Sequence, residues 1–130
     1  MRRLENNIAV ITGSSSGFGR EIALGFAAEG AKIVCADIQP SPGMYAVKYP
    51  GENTDAVIRR LGGEAVFTAC DVTSSDSVAA LIRTAVETYG RIDTLVNNAG
   101  VGPRWARIDE LDERIVGQLV AEVAIACGGF

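Results

Sequence analysis

The sequence predicts an open α/β fold, a parallel sheet in strand order 3-2-1-4 with helices on both faces. Three observations lead there. Four short apolar runs alternate with segments of helical periodicity, and strands that alternate with helices pair in parallel through right-handed crossovers. The first apolar run passes directly into a glycine-rich turn and then a helix. At 130 residues the chain suits one domain, residues 1–130, with its own core.

Ile8-Ala9-Val10-Ile11 is rich in β-branched residues and bounded by polar ones, as expected of a strand covered on both faces. After the glycines, Phe18, Ile22, Phe26 and the alanines between them recur at helical spacing until Gly30 offers a stop. Ile33-Val34-Cys35-Ala36 repeats the buried-strand pattern and ends on Asp37. Residues 38–52 contain Pro40, Pro42, Gly43, Pro50 and Gly51, which predicts a long loop. A second helix runs from about Thr54 to Leu61, closed by Gly62-Gly63, and Ala65 to Ala69 forms strand three. The "TSSD" at 73–76 resembles a capping box with Thr73 as the cap. Behind it Val78, Leu81, Ile82, Ala85, Val86 and Tyr89 share one helix face. Thr94-Leu95-Val96-Asn97 is a brief fourth strand, followed by the loop "NAGVGPRWAR" and a last helix with Leu111, Ile115, Leu119, Val123 and Ala126 on one face.

Composition narrows the function. Apolar residues make up 48% and charged residues 22% of the chain, the balance of a soluble globular protein. No run reaches the ~20 apolar residues of a spanning helix, so no membrane is expected. The apolar stretch after Arg2-Arg3 is too short for a signal peptide, and a cytoplasmic location is expected. A net charge of −4 argues against a nucleic-acid partner, because phosphate backbones require clustered Lys and Arg. Cys35, Cys70 and Cys127 are an odd number at unrelated spacings, which points to neither a disulfide framework nor a metal site. They read as small apolar residues.

The turn "TGSSSGFG", Thr12 to Gly19, admits three readings. A flexible linker has no reason to be clamped between a buried strand and an amphipathic helix. A serine nucleophile fits "GSSSG" with Ser15 at its centre, but the chain contains no histidine to act as its base. A phosphate cradle lacks nothing: the first turn of a helix offers unpaired N–H groups and a positive dipole end, and Gly13, Gly17 and Gly19 let a backbone approach a pyrophosphate. Asp37 ends strand two, two dozen residues past Gly13, where a carboxylate can accept hydrogen bonds from an adenosine ribose. Its charge would repel a 2′-phosphate by on the order of a few kcal/mol, so the expected cofactor is NAD, with NADP disfavoured. Asp71 and Val72 follow strand three, beside strand two, and are read either as flanking an adenine or simply as a polar lead-in to the Thr73 cap.

These sites, together with "NNAG" at 97–100, resemble the short-chain dehydrogenase/reductase family, an extended Rossmann class, from about Asn6 to Val101. The resemblance implies that Gly13, Ser15, Ser16, Gly17, Phe18 and Gly19 line the pyrophosphate and its nearby ribose. It implies that Asp37 holds the adenosine ribose with Ile38 beside it, that Asp71 and Val72 contact the adenine edge, and that Asn98, Ala99 and Gly100 pass under the nicotinamide ribose. The implied activity is alcohol/carbonyl interconversion by hydride transfer, with a small-molecule alcohol or ketone as substrate. Position 16 carries no basic residue, where NADP-preferring relatives often have one.

The departures are equally specific. The family's chemistry depends on a Ser on the next strand and a Tyr-x-x-x-Lys pair on the helix after it, and neither follows Asn98. "YAVK" at 45–48 has the wrong spacing and lies in the Pro/Gly loop. No catalytic residue is therefore assigned. The expectation is a chain that carries the dinucleotide-binding half of such an enzyme and stops before its catalytic segment, the alternative being a non-catalytic nucleotide-binding or interaction module. An uncovered edge beside strand four would leave such a chain marginally stable or dependent on a partner, with a homo-oligomer among the arrangements that the resemblance implies.

Overall fold

The computed structural model describes residues 2–43, 46 and 48–98. The expected last helix, the loop around Trp105, Ala99, Gly100, Tyr45 and Cys127 lie outside the described residues. The elements are β1 (Ile8–Thr12), α1 (Gly17–Ala28), β2 (Lys32–Asp37), α2 (Thr54–Arg60), β3 (Ala65–Ala69), α3 (Ser75–Tyr89) and β4 (Thr94–Val96). The strands pair in the order β3-β2-β1-β4, every pair parallel. The fold is Rossmann-like, as the sequence predicts.

The central strands earn their position by having no polar face. Every residue of β1 is buried, as are the four middle residues of β2. Alternate side chains feed two cores. Ala9, Ile11, Ile33 and Cys35 pack with Ala23 and Ile58 under α1 and α2, while Val10, Val34 and Ala36 pack with Val78, Leu81 and Ala85 of α3. Each fully buried aliphatic side chain contributes about 1.5–3 kcal/mol, so burying both faces of two strands gives the sheet its centre. Cys35 and Cys70 are buried, and burial pushes the Cys35 thiol up to about 12.

Two helix faces differ from the expected stripes. Phe18 is 81% exposed; α1 turns Gly19, Arg20 and Ala23 inward instead, because the helix must approach β1 more closely than a phenyl ring allows. Val86 is also exposed, although Val78, Leu81 and Ala85 of the same helix are buried as expected.

The cap of α3 is displaced by one residue from the sequence reading. Ser74, not Thr73, is the N-cap, and its side chain accepts a hydrogen bond from Ser77 N at 3.2 Å. Thr73 is committed elsewhere: its N–H and its hydroxyl both donate to Asp71 Oδ1, at 2.9 and 2.6 Å. A Ser74→Ala substitution should therefore cost about 1 kcal/mol, and Thr73→Ala distinctly less because its bonds are exposed; urea denaturation of the two variants measures the difference.

Candidate functional site

All the expected site residues that the structure describes lie at the C-terminal edge of the sheet, where open parallel sheets form their ligand crevices. The glycine turn between β1 and α1 is the centre. Gly13 and Gly17 have φ of 69° and 57°, a region that favours glycine, and these two residues reverse the chain over the end of the strand. Gly19 is required for a different reason. A Cβ there would lie 2.1 Å from the Gly13 carbonyl oxygen and 2.7 Å from Asn98 Nδ2, so helix, strand end and the segment after β4 meet with no room for a side chain.

Ser14 and Ser15 are buried and structural. Ser14 N donates to the Ala36 carbonyl at 3.2 Å, Ser15 N donates to Asp37 Oδ2 at 3.0 Å, and the Ser15 hydroxyl donates to the Gln39 carbonyl. Ser15 is thus tied to the turn's surroundings through both its N–H and its hydroxyl. Ser16 is the N-cap of α1 but its side chain makes no capping hydrogen bond, and the first turn holds no acidic residue. The leading N–H groups of a helix have no intrahelical partner, so this terminus keeps its positive end available to an anion.

Asp37 sits beside the turn, with Oδ1 accepting from Ile38 N at 2.7 Å and Oδ2 from Ser15 N. Two backbone donors fix the carboxylate while leaving each oxygen a free lone-pair direction. Phe18 and Ile38 flank the turn and are the two most exposed large apolar side chains among the described residues, at 81% and 76%. Cys70 N donates to the Asp37 carbonyl at 2.8 Å, which brings the residues after β3 alongside.

There the two expected adenine contacts separate. Asp71 is exposed, and its carboxyl is held below the ordinary range by the hydroxyl and N–H of Thr73. Val72 packs instead against the α3 core. On the other side Asn98 is brought to the turn: its N–H donates to Thr12 Oγ1 at 3.0 Å, and Thr12 Oγ1 lies 3.3 Å from the Val96 carbonyl.

Sequence reasoning missed Arg20. This side chain is 2% exposed, yet it is a guanidinium. Nη1 donates to the Glu52 carbonyl (2.8 Å) and Thr54 Oγ1 (3.0 Å), and Nη2 donates to the carbonyls of Lys48 (3.0 Å) and Tyr49 (2.9 Å). Among the described residues Nε is buried without a hydrogen-bond partner. Burial pushes its pKa down, and Glu21 and Glu52 act against that shift. Thr54 in turn donates to the Ser14 carbonyl at 2.7 Å. The only sequence signal was a charged residue directly after Gly-x-Gly, and such a residue ordinarily reads as solvent-facing.

A parallel sheet in this order, with a glycine turn opening the first helix and a carboxylate ending the second strand, defines a dinucleotide-binding class of α/β protein. Comparison with known sequences gives the family: residues 7–124 match the short chain dehydrogenase family, and the chain belongs to it. It is 41% identical over 120 residues to an uncharacterized oxidoreductase of Mycobacterium bovis, covering 91% of this chain and 44% of that protein. It is 40% identical over 100 residues to the 7alpha-hydroxysteroid dehydrogenase of Escherichia coli K12, covering 77% of this chain and 36% of that protein. The crystal structure of a hydroxysteroid dehydrogenase from Escherichia coli superposes with a TM-score of 0.75 at 30% identity, over 95% of this chain and 52% of the other. The chain spans less than half the length of these two curated relatives.

The contact at Gly19 makes a direct prediction. Gly19→Ala must move either α1 or the Gly13 carbonyl, an overpacking cost of about 1–3 kcal/mol or more. Thermal denaturation should show a lowered midpoint, whereas Gly25→Ala, which has open space around it in the same helix, should not lower it.

Proposed function

We propose that the chain binds a nicotinamide dinucleotide at the glycine turn, NAD in preference to NADP, as the cofactor half of an oxidoreductase that interconverts an alcohol and a carbonyl. The observation that carries this reading is the adjacency of Asp37 to an uncapped helix N-terminus, joined to it through the Ser15 N–H. The helix end attracts the diphosphate, and the carboxylate accepts from the ribose hydroxyls. A 2′-phosphate at that ribose would bring a second anion against Asp37, a repulsion of on the order of a few kcal/mol at contact distance. Gly13, Ser15, Ser16, Gly17, Phe18 and Gly19 are the residues proposed to surround the pyrophosphate. Ile38 is proposed to lie against the adenosine, and Asn98 with Ala99 and Gly100 beneath the nicotinamide ribose. Asp71 is proposed at the adenine edge, and Val72 only through its backbone, since its side chain is occupied by the core.

When bound, the dinucleotide supplies the hydride acceptor or donor. The protein's share on the described residues is to hold the cofactor and exclude its phosphorylated analogue. Proton exchange with a substrate oxygen needs an acid/base partner, and no Tyr-x-x-x-Lys pair follows Asn98 within these 130 residues. The proposed role of these residues is therefore cofactor binding, with a small alcohol or ketone as the proposed substrate of the enzyme.

Titration of NADH fluorescence should give saturable binding at least tenfold tighter than for NADPH. Asp37→Ala should weaken NADH binding and narrow that preference; an unchanged preference would remove Asp37 from the reading. Incubation of the purified 130-residue chain with NAD and a panel of secondary alcohols should yield no NADH absorbance at 340 nm.

A further inference from the structure

The Arg20 side chain stands outside the role proposed for the turn, and its surroundings are unusual. It is a cation in the first turn of α1, the end of a helix where the dipole disfavours positive charge. It is also desolvated, and its four hydrogen bonds go to neutral oxygens, three of them carbonyls of Lys48, Tyr49 and Glu52. Burial and helix polarity both oppose the charge there, and the four hydrogen bonds offset that cost.

The fourth bond leads into the turn. Arg20 Nη1 donates to Thr54 Oγ1, which donates to the Ser14 carbonyl. In a trans peptide the C=O and the following N–H point in opposite directions, so the same peptide unit delivers the Ser15 N–H to Asp37 Oδ2 on its other side. A continuous chain of hydrogen bonds therefore runs from the Arg20 guanidinium through Thr54 and the Ser14–Ser15 peptide to the Asp37 carboxylate. The Ser15 hydroxyl on the Gln39 carbonyl ties the start of the β2–α2 connection to the same turn.

We propose that Arg20, acting through Thr54, is a positioning residue for dinucleotide binding: it fixes the Ser14–Ser15 peptide plane, and with it Asp37, while holding segment 48–53 against the turn. The proposal rests on the dinucleotide reading above. Without the Thr54 hydroxyl the Ser14 carbonyl is left buried and unpaired, and relief of that cost lies in rotating the peptide, which withdraws the Ser15 N–H from Asp37.

The test is NADH affinity measured on the purified protein and on Arg20→Met, Thr54→Val, Thr54→Ser and Val57→Ala. Arg20→Met and Thr54→Val should raise the NADH Kd about tenfold. Thr54→Ser, which keeps the hydroxyl, should restore it to within about threefold of wild type. Val57→Ala opens a cavity at a fully buried position of α2 and should lower the thermal midpoint with no change in Kd, which separates positioning from general loss of stability. Thr54→Val alone suffices should Arg20→Met fail to fold. If wild type binds NADH and Thr54→Val binds it equally well, the positioning role is overturned while the dinucleotide reading stands. If wild type itself binds no NADH, the dinucleotide reading is overturned and this inference with it.

Discussion

The end of β1 and the start of α1 approach so closely that only hydrogen atoms fit between them, and the rest of the site follows from that contact. A Cβ on Gly19 would overlap the Gly13 carbonyl outright. With the helix seated against the strand, its first turn is held over the C-terminal edge of the sheet. The Asn98 amide fills the remaining space from the side of β4, so three separate segments are brought into register by the absence of one side chain.

That seating depends on a rigid platform. β1 is buried throughout and pairs on both edges, with β2 and with β4. Its alternate residues serve the α1/α2 core and the α3 core, so a shift of one residue in register would exchange the occupants of two packed layers. The edge strands carry less of this burden: β3 and β4 are only partly buried.

Much of this was legible in the sequence, and the misses have identifiable physics. The β-branched runs located each strand among the described residues, and alternation with helices gave the sheet order. The glycine turn and Asp37 are neighbours because a carboxylate at the end of β2 must lie beside the end of β1 in a parallel pair. The cap of α3 was displaced because "TSSD" offers Thr73 and Ser74 as equivalent hydroxyls, and the choice is made by Asp71, which engages both donors of Thr73. Phe18 follows the apolar period of α1, but the face that α1 buries carries Gly19, Arg20 and Ala23 instead. Arg20 was invisible for a deeper reason: three of its four partners are main-chain carbonyls some thirty residues further along, and main-chain groups leave no trace in residue type.

Orientation of successive peptides divides the turn's work. The Ser14 and Ser15 N–H groups point into the protein, to Ala36 and Asp37, and there they set the conformation of the loop and the position of the carboxylate. From Gly17 onward the chain is helical, and its leading N–H groups point along the axis, away from the helix body, without a side-chain cap from Ser16. One short segment thus spends its first donors on internal order and leaves its last ones facing outward. In the dinucleotide reading those two sets meet different parts of the same ligand, the inward set acting on the ribose through Asp37 and the outward set acting on the diphosphate directly. Loss of the inward set would therefore alter how the ribose is read before it altered the attraction for phosphate, because the helix end exists wherever α1 exists, whereas the carboxylate is held only by the bonds that reach it.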